Sequence, residues 1–326
     1  MDSRTLWLVG GVLLLLGAAT GVGHFLKRQP ETGTDSVLVR AFNMRVRVWW
    51  VMWCVLAAAL LLGPLAKVVT VVILGLISFW ALREFITLTP TRLGDHRALF
   101  WVFFLFTPLQ YVLVGMEQYG LYSVLIPVYA FLFIPARVAI AGDAKRFQER
   151  TATIQAGLMI CVYCFSYTPA LLTLELRTSA GEPAGGHAAA RLLFFFVLIV
   201  QMSEAIQYGC GKLFGRRVIA PQISPNKTWE GFLGGAACTT LLGTALYWAT
   251  PFEPWQAALM SLVISVMGGA GGLTLSAIKR DRGVSDYGTL VEGHGGVLDR
   301  IDSICFAAPV FFHLTRYYFS DFSELV

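Results

Sequence analysis

Residues 276–303 read SAIKRDRGVSDYGTLVEGHGGVLDRIDS, a polar stretch in a chain that is otherwise mostly hydrocarbon. Three carboxylates, Asp286, Asp299 and Asp302, stand beside Lys279, Arg280, Arg282 and Arg300, and Gly293, Gly295 and Gly296 surround His294. Carboxylate oxygens suit a hard cation, fixed positive charges suit phosphate, and glycines let a backbone approach a ligand closely. These are the components of a metal-dependent phosphate site. A merely solvated loop needs neither three glycines about one histidine nor acids at i and i+3. Asp299 and Asp302 lie one helical turn apart, so both point the same way if a helix starts there.

A second polar stretch, 208–230, carries Lys212, Arg216, Arg217 and Lys227. Pro225 favours an extended approach, and Ser224 or Thr228 caps a helix beginning near Trp229. Free amides at that helix start, with Lys227 and the flanking hydroxyls, would bind anionic oxygens, although a plain capped helix start satisfies the same pattern. Upstream, Glu204 and Gln207 sit inside the apolar run 192–208. A carboxylate in a spanning segment costs about 3 kcal/mol on insertion scales, which makes Glu204 a functional candidate unless it reaches water at the end of its span.

The elements that must position these residues are membrane helices. Of the 326 residues 56% are hydrophobic and 14% charged, and the mean hydropathy is +0.65. Soluble domains carry about 25% charged residues, so the expected class is all-α, a polytopic integral membrane protein of nine or ten spans. Apolar runs fall near 6–23, 49–64, 68–82, 99–115, 120–136, 152–173, 192–208, 231–250, 256–275 and 303–319. The first follows Arg4 and lacks a small-x-small cleavage site, so it reads as a retained anchor. Lys and Arg concentrate in the loops 24–48, 83–98, 137–151, 209–230 and 276–302, which hold 20 of the 25. By the positive-inside rule those loops face the cytoplasm and both termini lie outside it. The net charge of +5 then reflects topology and anionic headgroups, not nucleic acid. No fixed-period repeat is visible, so 1–326 reads as a single membrane domain.

Other polar or reactive residues carry less. Cys161 and Cys164 lie on a membrane helix with no histidine or second cysteine pair nearby, and read as small packing residues. His24, His96, His187 and His313 have no companion at metal-ligand spacing. The segment 40–50 alternates arginines with Phe42, Val46, Trp49 and Trp50, and reads equally as a helix lying in the headgroup region or an ordinary interfacial belt.

The two polar stretches together resemble the phosphatidate cytidylyltransferase (CDP-diacylglycerol synthase) family of integral membrane enzymes. Ser276, Ile278, Lys279, Arg280, Asp286, Gly288, Gly293, His294, Gly295, Gly296, Asp299, Arg300 and Asp302 fall on its signature at the right spacing. Ser224, Pro225, Lys227, Thr228 and Trp229 match its Ser-Pro-x-Lys-Thr-Trp element, after a similar GKLFG at 211–215. The likeness covers about the last 130 residues; upstream it rests on hydropathy. Three departures stand out. Ser285 and Glu292 replace a lysine and a proline, and Glu204, with Gln207 and Tyr208, replaces the family's membrane aspartate.

The resemblance implies that CTP and phosphatidate give CDP-diacylglycerol and pyrophosphate in phospholipid biosynthesis. It implies catalytic roles for Asp286, His294, Asp299, Asp302, Lys227, Lys279 and Arg280. Ser224, Asn226, Lys227, Thr228, Gly295, Gly296 and Arg300 would bind substrate. Glu204, Asp286, Asp299 and Asp302 would bind Mg²⁺, one ion or two. The catalytic portion would be 191–326, on a scaffold of helices from 1–190. The partners expected are CTP, phosphatidate, membrane lipids and a second copy of the chain in a homodimer. The location expected is a bacterial inner (cytoplasmic) membrane with the active site facing the cytoplasm. Two other readings use the same residues: a CTP-dependent transferase or kinase acting on another membrane lipid, and a transporter or catalytically silent homologue. Against a transporter, the charged motifs occupy one half of the chain with no inverted repeat.

Overall fold

The computed structural model describes residues 65–178, 181–288 and 295–320, with isolated helical positions between Trp7 and Trp53. Met1–Thr70 and Val71–Val326 form two compact units. Within the first, the Trp50 indole donates to Thr20 Oγ1 at 3.0 Å, and that hydroxyl donates to the Leu16 carbonyl at 2.7 Å. Most of the predicted span 6–23 is described, and its described positions are helical; the predicted span 49–64 falls mainly outside the described residues.

Eight helical rods follow. They are α1 (Ala66–Thr87), α2 (Leu93–Gly115), α3 (Tyr119–Ala139), α4 (Phe147–Thr173), α5 (Ala188–Phe214), α6 (Trp229–Ala245), α7 (Pro254–Asp281) and α8 (Leu298–Phe319). Among the described residues six, α1–α5 and α7, are long and apolar enough to cross a membrane. The chain is therefore an all-α polytopic integral membrane protein. Each apolar run predicted from residue 68 onward lies on one of the eight rods except 231–250, whose rod stops at Ala245 before a short 3-10 turn at Tyr247–Ala249, and several rods outrun their apolar stretch. α1 continues to Thr87, α5 to Phe214 and α7 to Asp281, because the backbone ladder persists after the side chains turn polar.

Burial separates the central rods from the peripheral ones. Leu192–Val200 of α5 are buried without a break, as expected of a helix that is apolar all round and enclosed by others. α5 packs on α6, α6 on α7 and α7 on α8. Small residues set how close these pairs come. A Cβ added at Gly231 of α6 would stand 2.7 Å from the Gly211 Cα of α5, so the two backbones touch there. In α2, α3 and α4 a π-helical turn interrupts the rod, at 102–106, 125–130 and 159–164. The Ser78 hydroxyl of α1 donates to the Cys161 carbonyl in the last of these at 2.7 Å. Cys161 is buried and free, in keeping with a packing role.

The connections α1–α2, α3–α4, α5–α6 and α7–α8 gather at one end of the bundle. A buried ionic corner joins the first two. Arg150 donates to the Asp143 carboxylate at 2.8 Å and to its carbonyl at 2.7 Å, and its Nε lies 3.5 Å from Asp95 Oδ1. Arg92 adds an ion pair to Asp143 at 2.9 Å and donates its amide to Asp95 Oδ2 at 2.9 Å. The α5–α6 connection is a short antiparallel hairpin, β1 (Val218–Ala220) and β2 (Ser224–Thr228), in which Val218 faces Thr228 and Ala220 faces Ser224. At the opposite end the Arg177 amide donates to Phe319 O at 2.8 Å. There His313 sits among Tyr119, Tyr167 and Phe312, an aromatic packing position.

Candidate active site

The gathered end is where α7, α8 and the hairpin meet. Thr228 is extended, with φ −116° and ψ 153°, and its hydroxyl accepts the Gly231 amide at 3.2 Å, so of the two capping candidates Thr228 starts α6. The strand that leads into this cap carries Lys227 inward, while Pro225 and Asn226 stay exposed. Its ammonium reaches the α7 backbone at a glycine: a Cβ at Gly272 would stand 2.5 Å from Lys227 Nζ and 3.5 Å from Asp302 Oδ2. One residue earlier, a Cβ at Gly271 would lie 2.7 Å from the Asp302 carbonyl. The first turns of α8 thus rest on bare α7 backbone, and the Lys227 ammonium faces the Asp302 carboxylate across it. Burial draws the Lys227 ammonium below the ordinary lysine range, while the Asp302 and Glu204 carboxylates oppose that fall. Glu204, on α5, therefore belongs to the same electrostatic neighbourhood.

A second knot lies beside the first. Asp299 accepts from Lys279 Nζ at 2.7 Å and, through its other oxygen, from the Tyr287 and Gly296 amides, each at 2.9 Å. Gly295 adopts φ +81°, a left-handed conformation that glycine tolerates best. A Cβ there would lie 2.6 Å from Asp299 Oδ2 and 3.0 Å from Asp286 Oδ1, so both carboxylates converge on its open face. Ser285 donates to Asp286 Oδ2 at 2.7 Å, which bonds the acid without neutralising it as a lysine would.

The structure thus brings Lys227 and Asp302 together at Gly272, and Lys279, Asp286, Asp299 and Gly296 together about Gly295, with the Glu204 charge acting on Lys227. Arg300 lies half-buried in the first turn of α8. Arg280 donates to the Ile223 carbonyl at 3.3 Å and to Val284 O at 3.1 Å, clamping the hairpin to the end of α7. Ser224 and Asn226 lie on the hairpin, the first half-buried and the second exposed. Glu292, Gly293 and His294 lie outside the described residues.

Two site residues were not singled out from sequence. Tyr287 is 3% exposed; its ring stacks on Phe85 at 6.1 Å and its hydroxyl donates to Leu275 O at 3.0 Å. An aromatic in the middle of a charged stretch was the available signal. Glu84, near the end of α1, is 5% exposed and accepts the amides of Val297 at 3.0 Å and Leu298 at 2.9 Å. Its signal was weaker, because the apolar run of α1 ends at 82 and leaves Glu84 reading as a loop residue.

Comparison with known proteins extends the likeness upstream of these clusters. The chain is 36% identical over 309 residues to the Uncharacterized protein YnbB of Escherichia coli (strain K12), covering 93% of this chain and 95% of that one. It is 36% identical over 177 residues to the Phosphatidate cytidylyltransferase of Mycobacterium leprae (strain TN), 54% of this chain and 53% of that one. Against the Phosphatidate cytidylyltransferase of Bacillus subtilis (strain 168) the identity is 31% over 218 residues, 66% and 75% of the two chains. A family model described as Cytidylyltransferase family matches residues 43–318, a stretch that takes in α1 as well as both charged clusters. The chain belongs to the cytidylyltransferase family.

Proposed function

We propose that the protein is a phosphatidate cytidylyltransferase, joining the cytidylyl group of CTP to phosphatidate at the end of the bundle where α7 and α8 meet. The observation that carries this reading is the meeting of Lys227 and Asp302 at Gly272, beside the Lys279–Asp299 pair. A phosphate oxygen of the lipid forms a bond to the α-phosphorus of CTP. The bond from that phosphorus to the oxygen bridging to the β-phosphate breaks, and pyrophosphate leaves with that oxygen. A lipid phosphate near neutral pH is already ionised, so the protein has to position and neutralise charge more than remove a proton. Lys227, Lys279 and Arg300 supply positive charge to the triphosphate and the departing pyrophosphate. Gly295 and Gly296, packed against the Asp286, Asp299 and Glu84 carboxylates, would meet phosphate oxygens as those acids exchange partners. Arg280 holds the hairpin so that Lys227 stays aimed at the site.

Mg²⁺, one ion or two, belongs to this proposal, with Asp299 and Asp302 as its main ligands and Asp286 and Glu204 in support. The donor set fits: these are hard carboxylate oxygens, those of Asp299 and Asp286 converging about Gly295 and that of Asp302 standing beside Lys227 at Gly272. Among the described residues no three acid, histidine or cysteine side chains enclose one point. That arrangement is compatible with Mg²⁺, which commonly takes one or two carboxylates along with waters and substrate phosphates. When bound, the metal supplies charge stabilisation to the phosphoryl oxygens and the leaving group. Asp299 and Asp302 have their lysine partners to exchange for it.

In this reading residues 191–326 supply the reacting charges, and the upstream helices form the scaffold that admits lipid. The site faces the cytoplasm of a bacterial inner membrane, because the loops at its end hold most of the Lys and Arg between residues 83 and 302. Labelled CTP tests the reaction. Purified protein with phosphatidate should carry a cytosine label into the lipid and leave a γ-phosphate label in pyrophosphate. Transfer of the γ-label to lipid would instead mean a kinase, and transfer of neither label would remove the assignment.

A further inference from the structure

α8 begins without a cap of its own. Val297, at its N-cap position, offers no hydrogen-bonding side chain, and the first amides of a helix need acceptors. They find one far away in sequence: each oxygen of Glu84 on α1 takes one amide, Oε1 that of Val297 and Oε2 that of Leu298. A negative group at a helix N-terminus also opposes the helix dipole favourably. The backbone around Glu84 is shaped to it. A Cβ at Gly288 would lie 2.8 Å from Glu84 Oε1, and one at Gly296 would collide with Oε2. Phe85, the next residue of α1, stacks on Tyr287. Both sides of the acidic loop are therefore seated on α1.

We infer that Glu84 is a positioning residue of the reaction proposed above: by fixing where α8 starts, it aims Asp299 and Asp302. The inference rests on that reading of the site. The geometry makes the dependence steep, since a helix turns about 100° per residue, and a start displaced by one residue would swing both carboxylates away from Gly272 and Gly295. Neither oxygen of Glu84 is replaceable by an amide nitrogen, because each already accepts from an N–H.

The test compares wild type, Glu84→Gln and Glu84→Asp in nanodiscs. It measures hydrogen exchange in peptides covering 284–288 and 295–302, with and without Mg²⁺, together with turnover per folded molecule. Glu84→Gln should speed exchange at Val297 and Leu298 about tenfold and weaken Mg²⁺-induced protection of both peptides. It should lower kcat about tenfold while the KM values for CTP and phosphatidate stay within about threefold. Glu84→Asp, still a carboxylate, should recover part of each loss. A folded Glu84→Gln protein with wild-type kcat and wild-type Mg²⁺ protection would overturn the inference. If Glu84→Gln does not fold, Gly288→Ala in the otherwise wild-type chain tests the same seat from the other side, and it should weaken Mg²⁺-induced protection of both peptides and lower kcat. A folded Gly288→Ala protein with wild-type kcat and wild-type Mg²⁺ protection would overturn the inference. Exchange and Mg²⁺ protection need neither CTP nor lipid, so they separate a failure of Glu84 from a failure of the proposed reaction.

Discussion

Two ionic clusters stand at the same end of the bundle and are built on different chemistry. In the corner between α1–α2 and α3–α4, planar guanidinium groups of Arg92 and Arg150 grip Asp143, and Arg150 lies buried against Asp95. About Gly272 and Gly295 the cations facing acids are lysines, Lys227 opposite Asp302 and Lys279 on Asp299, while Arg282 at the end of α7 pairs with Asp281 and Glu149 instead. A guanidinium fork fixes a carboxylate in one geometry, whereas an ammonium is a point charge on a flexible stem that can release one anion for another. Glycines surround the lysine cluster and leave open backbone. The corner is thus suited to holding the scaffold, and the lysine cluster to exchanging its partners for phosphate and metal.

The sharpest way to break this contrast is at Asp302. Asp302→Asn should lower turnover about a thousandfold or more while membrane insertion and thermal midpoint stay near wild type. Near-normal turnover would remove Asp302 from the reaction. Next comes Lys227→Arg, which keeps the charge and changes its shape. With Gly272 backbone so near Nζ, the wider guanidinium should not fit, and activity should fall about a hundredfold. Full activity in that variant would mean that only charge matters at this position.

The corner should respond in the opposite way. Asp95→Asn removes the more buried of the two carboxylates facing Arg150, leaves Asp143, and should cost about 2 kcal/mol of stability, read from thermal unfolding in detergent. Turnover per folded molecule should remain within about twofold; a kinetic defect without a stability defect would erase the distinction between the clusters. The smallest effect is a pH dependence. The Lys145 amide and the Arg150 guanidinium hold the Asp143 carboxyl below the ordinary carboxylate range. Its contribution is therefore complete above the ordinary carboxylate pKa and drains away as pH falls through the lower folded value. Hydrogen exchange around residues 140–150 should rise on acidification in wild type, and Asp143→Asn should flatten that response.

Much of this arrangement was legible beforehand. The apolar runs located the eight rods, since hydrocarbon thickness sets the length of an apolar stretch. The helix start near Trp229 was announced by the approach through Pro225 and by two capping candidates, Ser224 and Thr228, of which the structure uses Thr228. The acids and lysines of the site were visible because charge is rare in a chain of this composition. What escaped were partnerships across long sequence separations. Nothing in the order of residues says that Glu84 meets the amides of Val297 and Leu298, because hydropathy places Glu84 beyond the end of α1. Nor does an arginine in a charged stretch declare that, like Arg280, it will bond carbonyls and brace a hairpin. Glycine spacing in α7 was likewise silent until Lys227 and Asp302 were seen to approach Gly271 and Gly272.

The most direct test of the lysine cluster as a cytidylyl-transfer site is stoichiometry in a reconstituted membrane. With purified protein, Mg²⁺, CTP and phosphatidate, one pyrophosphate should appear for each CDP-diacylglycerol, and neither product should form when either substrate is withheld. Pyrophosphate released without phosphatidate, or CDP-lipid absent while CTP is consumed, would contradict the account.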